Sequence, residues 1–394
     1  MKRLIGFTAA LCLLAIMVGC GGVTSTGTLA YISNSTGTGF TVYTVNTDGT
    51  LTRSSISPLN VPAAPKRLQF SPNGKWAYFL DAGGTNVYAY TRSGNGTLDI
   101  KIDAYQVAPG GGASSLVVSP NSNFLYVALP TTKELVIYSI DQTTGILYHV
   151  GNPILIGYDI EQLVLSPNGT VLFGLSNGGA AILSFTLTAS TGVATQTGTM
   201  AVGESPSYMT LSANGSYLYV TDYLSTSNVA GTSPVQTTPN IFGFTVGSAG
   251  ALTAMPDSPF TENPNTAGSY PSVPVAGVTT SDNRYLFIAN QGSKNISSFK
   301  INSTTGELAE VLGSNTIING ISVTSGSPFD CGCSSPSFLI VPSGNNALFL
   351  LDPLANSKAG AIYQFQIDQN TGKLRAQSPA SVSAEGTPTW ITIR

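Results

Sequence analysis

Six times along the chain, a short turn built from Ser or Thr, Pro, Asn, Asp and Gly leads into an apolar run. Ser71-Pro72-Asn73-Gly74 precedes Trp76-Ala77-Tyr78-Phe79-Leu80, which stops at Asp81. Ser119-Pro120-Asn121 precedes Phe124-Leu125-Tyr126-Val127, Ser166-Pro167-Asn168-Gly169 precedes Val171-Leu172-Phe173, and Ser212-Ala213-Asn214-Gly215 precedes Tyr217-Leu218-Tyr219-Val220. Looser copies are Thr280-Ser281-Asp282-Asn283 before Tyr285-Leu286-Phe287-Ile288, and Val341-Pro342-Ser343-Gly344 before Leu348-Phe349-Leu350, the last with one inserted residue. Runs this short, rich in aromatic and branched residues and bounded by turn formers, predict strands buried on both faces. The turn composition predicts that each strand pairs with the apolar stretch before the turn.

A second hairpin follows in every copy. Val87-Tyr88-Ala89-Tyr90, Val136 to Ile140, Ile182 to Phe185, Ile241 to Phe244, Ile296 to Phe299 and Ile362 to Phe365 run into Gly turns such as Thr144-Gly145, Thr305-Gly306 and Thr371-Gly372. Four strands in a repeat of roughly 47 residues describe one blade of a β-propeller. The ends supply a seventh blade. Leu29 to Asn34 matches Trp76 to Asp81, but its missing first strand lies at the other terminus, where Pro388-Thr389-Trp390-Ile391-Thr392-Ile393 reads like Pro65-Lys66-Arg67-Leu68-Gln69-Phe70. The prediction is an all-β, seven-bladed propeller over 28–394, four antiparallel strands per blade, closed by pairing the C-terminal strand with the N-terminal blade. Such closure removes exposed sheet edges.

Composition agrees. Charged residues are 9% of the chain against 42% hydrophobic, with 43 Gly and 23 Pro, which excludes disorder and a helical bundle. The first segment reads as a targeting device: Lys2 and Arg3, then the apolar run Leu4 to Val18, too short for a comfortable span. Met17-Val18-Gly19-Cys20 resembles the bacterial lipobox, so residues 1–19 are expected to be a signal peptide, Cys20 the lipidated N-terminus, and 20–27 a tether. This implies a bacterial cell-envelope protein, anchored by lipid and facing outward from the membrane. Without Lys2 and Arg3, 14 positive side chains face 19 negative ones, a net −5. An acidic surface without basic clusters argues against nucleic acid as a partner. The chain is expected to be a monomer. Two cysteines outside this segment, Cys331 and Cys333, flank Gly332. A disulfide is the leading reading in an oxidising compartment, with free thiols next, and no metal or cofactor is expected.

The SPNG-type turns, the Tyr-Val and Tyr-Leu strands ending in Asp or Asn, and the segments Ser258-Pro259-Phe260 and Ser327-Pro328-Phe329 resemble the seven-bladed lactonase propellers related to 6-phosphogluconolactonase and the muconate-lactonizing enzymes. The resemblance spans essentially all of 28–394 and implies a lactone-opening activity. These shared residues are mostly structural.

Ligands of propellers gather at the channel mouth, where first strands begin and the loops after second strands emerge. Aligning the repeats puts Lys66 and Arg67 in one ring with Ser114 and Ser115, Glu161 and Gln162, Ser207 and Tyr208, Val275 and Ala276, Pro336 and Ser337, and Thr389 and Trp390. A second ring holds Asn34, Asp81, Ser176, Asp222, Asn290 and Asp352. The candidate catalytic residues are Arg67, Glu161 and Asp81: a guanidinium to hold an oxyanion or carboxylate, and a carboxylate as base. Lys66, Tyr208, Asp222, Asn290, Asp352 and Trp390 are candidate ligand-binding residues. The competing reading makes the Asp and Asn residues turn caps.

His149 is the chain's one histidine and falls on an outer strand, which leaves no Ser-His-Asp arrangement and no histidine-held catalytic metal at the channel. The leading functional expectation is a binding or scaffolding module for a sugar-acid or lactone ligand or a protein partner, with lactone hydrolase as the alternative. Insertions at 223–240, 257–273 and 313–335 map to the face of the channel mouth and bring Tyr223, Phe260, Tyr270 and Phe329 as aromatic groups.

Overall fold

A computed structural model describes residues 27–37, 39–222, 226–227, 235–236, 240–261, 273–312, 315–318, 321–324, 326–355 and 359–394. The expected signal segment and Cys20 lie outside these residues, as do Tyr223 and Tyr270. No described helix is long and apolar enough to cross a membrane.

The repeats fold as seven four-stranded antiparallel blades. Blade 1 runs Pro65–Phe70, Trp76–Asp81, Asn86–Arg92, Leu98–Gln106, and blade 2 Ser115–Val118, Phe124–Leu129, Glu134–Ile140, Leu147–His149. Blade 3 is Ile160–Leu165, Val171–Ser176, Ala181–Leu187, Ala194–Ala201, and blade 4 Pro206–Leu211, Tyr217–Asp222, Asn240–Val246, Leu252–Ala254. Blade 5 is Pro274–Thr279, Tyr285–Asn290, Asn295–Ile301, Leu308–Glu310, and blade 6 Phe338–Ile340, Ala347–Asp352, Ala361–Ile367, Leu374–Ser383. Blade 7 joins the termini: Pro388–Ile393 pairs with Leu29–Asn34, Tyr31 facing Thr392, ahead of Gly39–Val45 and Leu51–Arg53. Every first strand packs against the first strands of both neighbouring blades, so the ring closes as expected.

The turns explain themselves chemically. Ser71 Oγ accepts the Trp76 N–H at 3.0 Å and donates to Asn73 Oδ1 at 2.7 Å, and Ser119, Ser166 and Ser212 repeat both contacts. A polar side chain thereby satisfies a backbone group that the hairpin would leave buried and unpaired. The Ser-Pro segments do a related job further out. Ser57, Ser258 and Ser327 each offer Oγ at 3.0 Å to a third-strand N–H, those of Val42, Gly243 and Ser298, where the outer strand is interrupted. Phe260 and Phe329 are buried beside these breaks and pair with third strands, so they belong to blade packing.

The core lies between blades rather than at a single centre. Trp76, Tyr78 and Leu80 of blade 1 meet Leu116, Leu125 and Val127 of blade 2, and similar clusters fill the other gaps. Strands buried on both faces require the unbroken apolar runs seen in the sequence.

Candidate functional site

Each first strand carries one equivalent position near the channel mouth. Arg67 faces Leu80, Ser115 faces Ala128, Gln162 faces Leu175 and Tyr208 faces Thr221. Ala276 faces Ala289, Phe338 faces Leu351 and Trp390 faces Ser33. The ring therefore has a polar side, blades 1 to 3, and an aromatic side built by blades 4, 6 and 7.

Six of these positions agree with the aligned repeats, and the seventh corrects them. Pro342 occupies the place of Ser71: its carbonyl accepts the Asn345 N–H at 3.0 Å, as that of Ser71 accepts Gly74 at 2.8 Å. Asn345 adopts the left-handed φ of 54° where Gly74 has 76°, a conformation asparagine tolerates better than most residues. Matching Pro342 to Pro72 displaces blade 6 by one residue, so Ser337 is replaced by Phe338 in the ring.

Arg67 is the centre of the arrangement. Its guanidinium carbon sits 4.0 Å from the centroid of Trp390, and Nη1 donates to Ser115 Oγ. Trp390 rests against Phe338 at 4.2 Å between centroids, and Phe338 meets Tyr208 edge-on at 6.1 Å. Burial lowers the proton affinity of Arg67, opposed by Tyr208 and Glu161, and a guanidinium stays charged under such pressure. Burial pushes the Tyr208 phenol up to about 12, against the pull of Arg67 and a hydrogen bond with Gln162. Gln162 itself bridges blades 3 and 4 through both polar atoms, to Met209 O at 2.9 Å and Met209 N at 2.7 Å.

Beside Arg67, Lys66 donates to Ala113 O at 3.1 Å, across the gap to blade 2. Burial, then the charge of Arg67, lowers its pKa, while Glu161 and Asp81 raise it. Glu161 is open to solvent. Desolvation nevertheless raises its pKa, with Lys66 and Arg67 opposing and Asp159 adding to the rise. Among the described residues the ion pair that closes is Arg53–Glu385, which includes none of this set. Glu161 thus senses both cations without being consumed by either.

The second ring is engaged in hydrogen bonds within its own loops. Asp81 Oδ1 accepts Thr85 N at 2.7 Å and Asn86 N at 3.2 Å, and Oδ2 accepts Asn86 Nδ2 at 3.1 Å. Asp222 Oδ2 takes the N–H groups of Glu204 and Ser205 at 2.7 and 3.0 Å. Asp352 takes those of Ser334 and Leu354 at 2.6 and 2.9 Å. Asn290 Nδ2 donates to Asn295 Oδ1 at 2.9 Å and Ser297 Oγ at 2.8 Å. Asp222, Asn290 and Asp352 are also buried. These four residues fix loops, which is the turn-cap role of the competing reading.

Cys331 and Cys333 have adjoining sulfurs and Cα atoms 5.1 Å apart, a separation that admits a disulfide. His149 is exposed on the outer strand of blade 2, its ring 4.5 Å from that of Tyr138. Among the described residues no group of three His, Cys, Asp or Glu side chains is placed to hold a metal. Two contributors escaped sequence reasoning. Phe338 was hidden by the displaced repeat, and Asp159, which accepts Ser176 Oγ, lies in a loop with no repeated motif.

Residues 40–176 match the family model described as "Lactonase, 7-bladed beta-propeller". Among solved structures, a protein from Lactobacillus plantarum is similar at 15% identity and TM-score 0.72, covering 93% of this chain and 99% of its own. The periplasmic gluconolactonase of Pseudomonas aeruginosa is similar at 16% identity and TM-score 0.71, covering 93% and 98%. The hydrazine synthase of Kuenenia stuttgartiensis is similar at 16% identity and TM-score 0.61, covering 86% and 92%. At such identities the likeness is one of fold, and proteins of different chemistry share it. No curated protein matches the chain.

Proposed function

We propose, from the premise that the chain is a seven-bladed propeller of the lactonase type, that it opens a lactone at the channel mouth. The observation that carries the reading is the restrained Arg67 guanidinium, stacked on Trp390 and tied to Ser115, with Lys66 beside it and the unpaired Glu161 within its field. Water attacks the lactone carbonyl carbon while Glu161 takes its proton. Arg67 and Lys66 stabilise the negative charge that develops on the carbonyl oxygen, or hold a carboxylate carried by the substrate. The ring C–O bond then breaks, and the proton held by Glu161 passes to the leaving ring oxygen. A carboxylate whose pKa is raised towards working pH is a better base than an ordinary one. Trp390, Phe338 and Tyr208 supply a wall for the apolar face of the ring.

This reading moves ahead of the binding-module expectation for two reasons. Phe260 and Phe329, two aromatic candidates for partner recognition in the inserted loops, are packed into blades. The mouth also combines cations with a free carboxylate, which binding alone does not require. The comparison with a periplasmic gluconolactonase supports the same direction. Our proposal includes an extracytoplasmic setting with lipid on Cys20, supported by Lys2, Arg3 and the apolar run that ends in Met17-Val18-Gly19-Cys20.

The test is a pH-stat assay of the full chain against aldonolactones, uronolactones and muconolactones. Hydrolysis above the spontaneous rate is expected for at least one of them, strongly reduced in Glu161→Gln. Spontaneous rates throughout the series would refute the proposal.

A further inference from the structure

Six of the seven blades protect their outermost edge with a recognisable device. The outer strands of blades 2, 4, 5 and 7 are only three residues long and are followed by a break. Blade 1 has a long outer strand, but Asp99, Lys101 and Asp103 stand exposed along it. Blade 6 carries Arg375 and Pro379 within its outer strand. Short strands, charges and proline are the usual protections against pairing with another chain.

Blade 3 has none of these. Its outer strand Ala194–Ala201 is eight residues long, reads ATQTGTMA, and is exposed over most of its length. It pairs only with Ala181–Leu187, leaving its outer side without a strand partner among the described residues. From Gln162 to Gly203 the sequence contains no Asp, Glu, Lys, Arg or His at all. An uncharged groove of about 290 Å³ runs beside the strand, lined by Thr197, Thr199 and Met200 on one side and Ala249 and Leu252 of blade 4 on the other. The edge does have a bulge, at the register shift between Ser184 and Phe185. The bulge is anchored inward, because Thr197 Oγ1 donates to Ala249 O at 3.0 Å, and it leaves Gly198–Ala201 in regular register.

We propose that this edge is a self-association surface, on which Ala194–Ala201 of one molecule pairs antiparallel with the same strand of a second copy. Charge selects that occupant. The chain is acidic, with a net charge of −3, so two copies carry net charge of the same sign. The blade 3 sector presents no charge to repel, and its strand offers small uncharged side chains that suit the neighbouring groove. A twofold axis brings identical strands together antiparallel, the geometry of an isologous interface. Eight residues span about 27 Å at roughly 3.4 Å each. One strand pair is a small interface, so the dimer sits at the weak end, with a dissociation constant of the order of micromolar. It replaces the monomer expected from the sequence and is independent of any activity at the channel mouth.

The experiment is sedimentation equilibrium of the full chain in density-matched detergent, across a wide concentration range and at low and high salt. The average mass is expected to rise from one chain toward two with concentration, with little dependence on salt. Thr199→Lys places like charges near the twofold axis and should weaken the dimer at least tenfold, with an unchanged melting temperature in dilute solution. Thr253→Lys, on the outer strand of blade 4, should leave it intact. A single chain at every concentration would overturn the proposal, and so would a dimer equally stable in Thr199→Lys or one dissolved by salt.

Discussion

Tyr78→Phe removes one oxygen atom from the gap between blades 1 and 2, and its effect follows from a rule repeated around the ring. The hydroxyls of Tyr31, Tyr78, Tyr126 and Tyr219 donate to Gly96 O, Gly145 O, Gly192 O and Gly306 O in the next blade, at 2.7, 2.9, 3.0 and 2.6 Å. Blades 3 and 5 have Phe173 and Phe287 at this position. There the cross-strand partners Ser184 and Ser298 donate instead, to Gly250 O at 2.8 Å and Gly372 O at 2.9 Å. The same carbonyl is satisfied by a hydroxyl from either strand. In Tyr78→Phe the buried Gly145 carbonyl loses this partner, which costs about 1–3 kcal/mol. With an unfolding entropy of about 2.1 cal/mol/K per residue, a loss of about 2 kcal/mol lowers the Tm of a propeller this size by about 2–3 °C. Ala89 is the cross-strand partner of Tyr78. Adding Ala89→Ser to Tyr78→Phe reproduces the blade 3 arrangement and should recover more than half of the loss. Calorimetry of the parent and the two variants measures both effects. A Tyr78→Phe variant melting like the parent, or an Ala89→Ser addition that destabilises further, would refute the reasoning.

Other consequences can be measured in parallel. Burial raises the pKa of Glu161, and the base must be ionised to act. Turnover should therefore fall as pH drops through a value above the ordinary glutamate pKa of about 4.3, and Glu161→Gln should abolish that limb of the kcat/KM profile and cost about 10²–10⁴-fold in rate. Asp222→Ala strands the N–H groups of Glu204 and Ser205, so chemical denaturation should show a loss of about 2–4 kcal/mol with unchanged activity per folded molecule. Deleting Pro388 to Arg394 removes the first strand of blade 7 and both Trp390 contacts, and calorimetry should show loss of the cooperative transition.

The fold was legible because its signals are repeated. Strands buried on both faces had to be apolar runs, and the hairpin turns had to carry hydroxyl, amide and glycine groups, so the repeat and the closure at Trp390 and Tyr31 could be read directly. The candidate site was legible only where a residue type was unusual for its place. Arg67 and Glu161 stood out at the starts of first strands. Asp81, Asp222, Asn290 and Asp352 stood out equally, yet a carboxylate that caps a loop and one that faces a ligand look the same in sequence. Only the hydrogen-bond partners around them reveal the loop-fixing role. Phe338 was lost because Pro342, matched to the wrong turn position, displaced one repeat by a single residue.

Turnover by the parent and by Arg67→Ala, each with its melting curve, tests the central claim most directly. The account predicts that the parent opens at least one of the tested lactones well above the spontaneous rate. It predicts that Arg67→Ala loses most of that rate while its fold persists, because the cation that stabilises the developing oxyanion is gone. An Arg67→Ala protein that remains folded and hydrolyses the lactone as fast as the parent would contradict it.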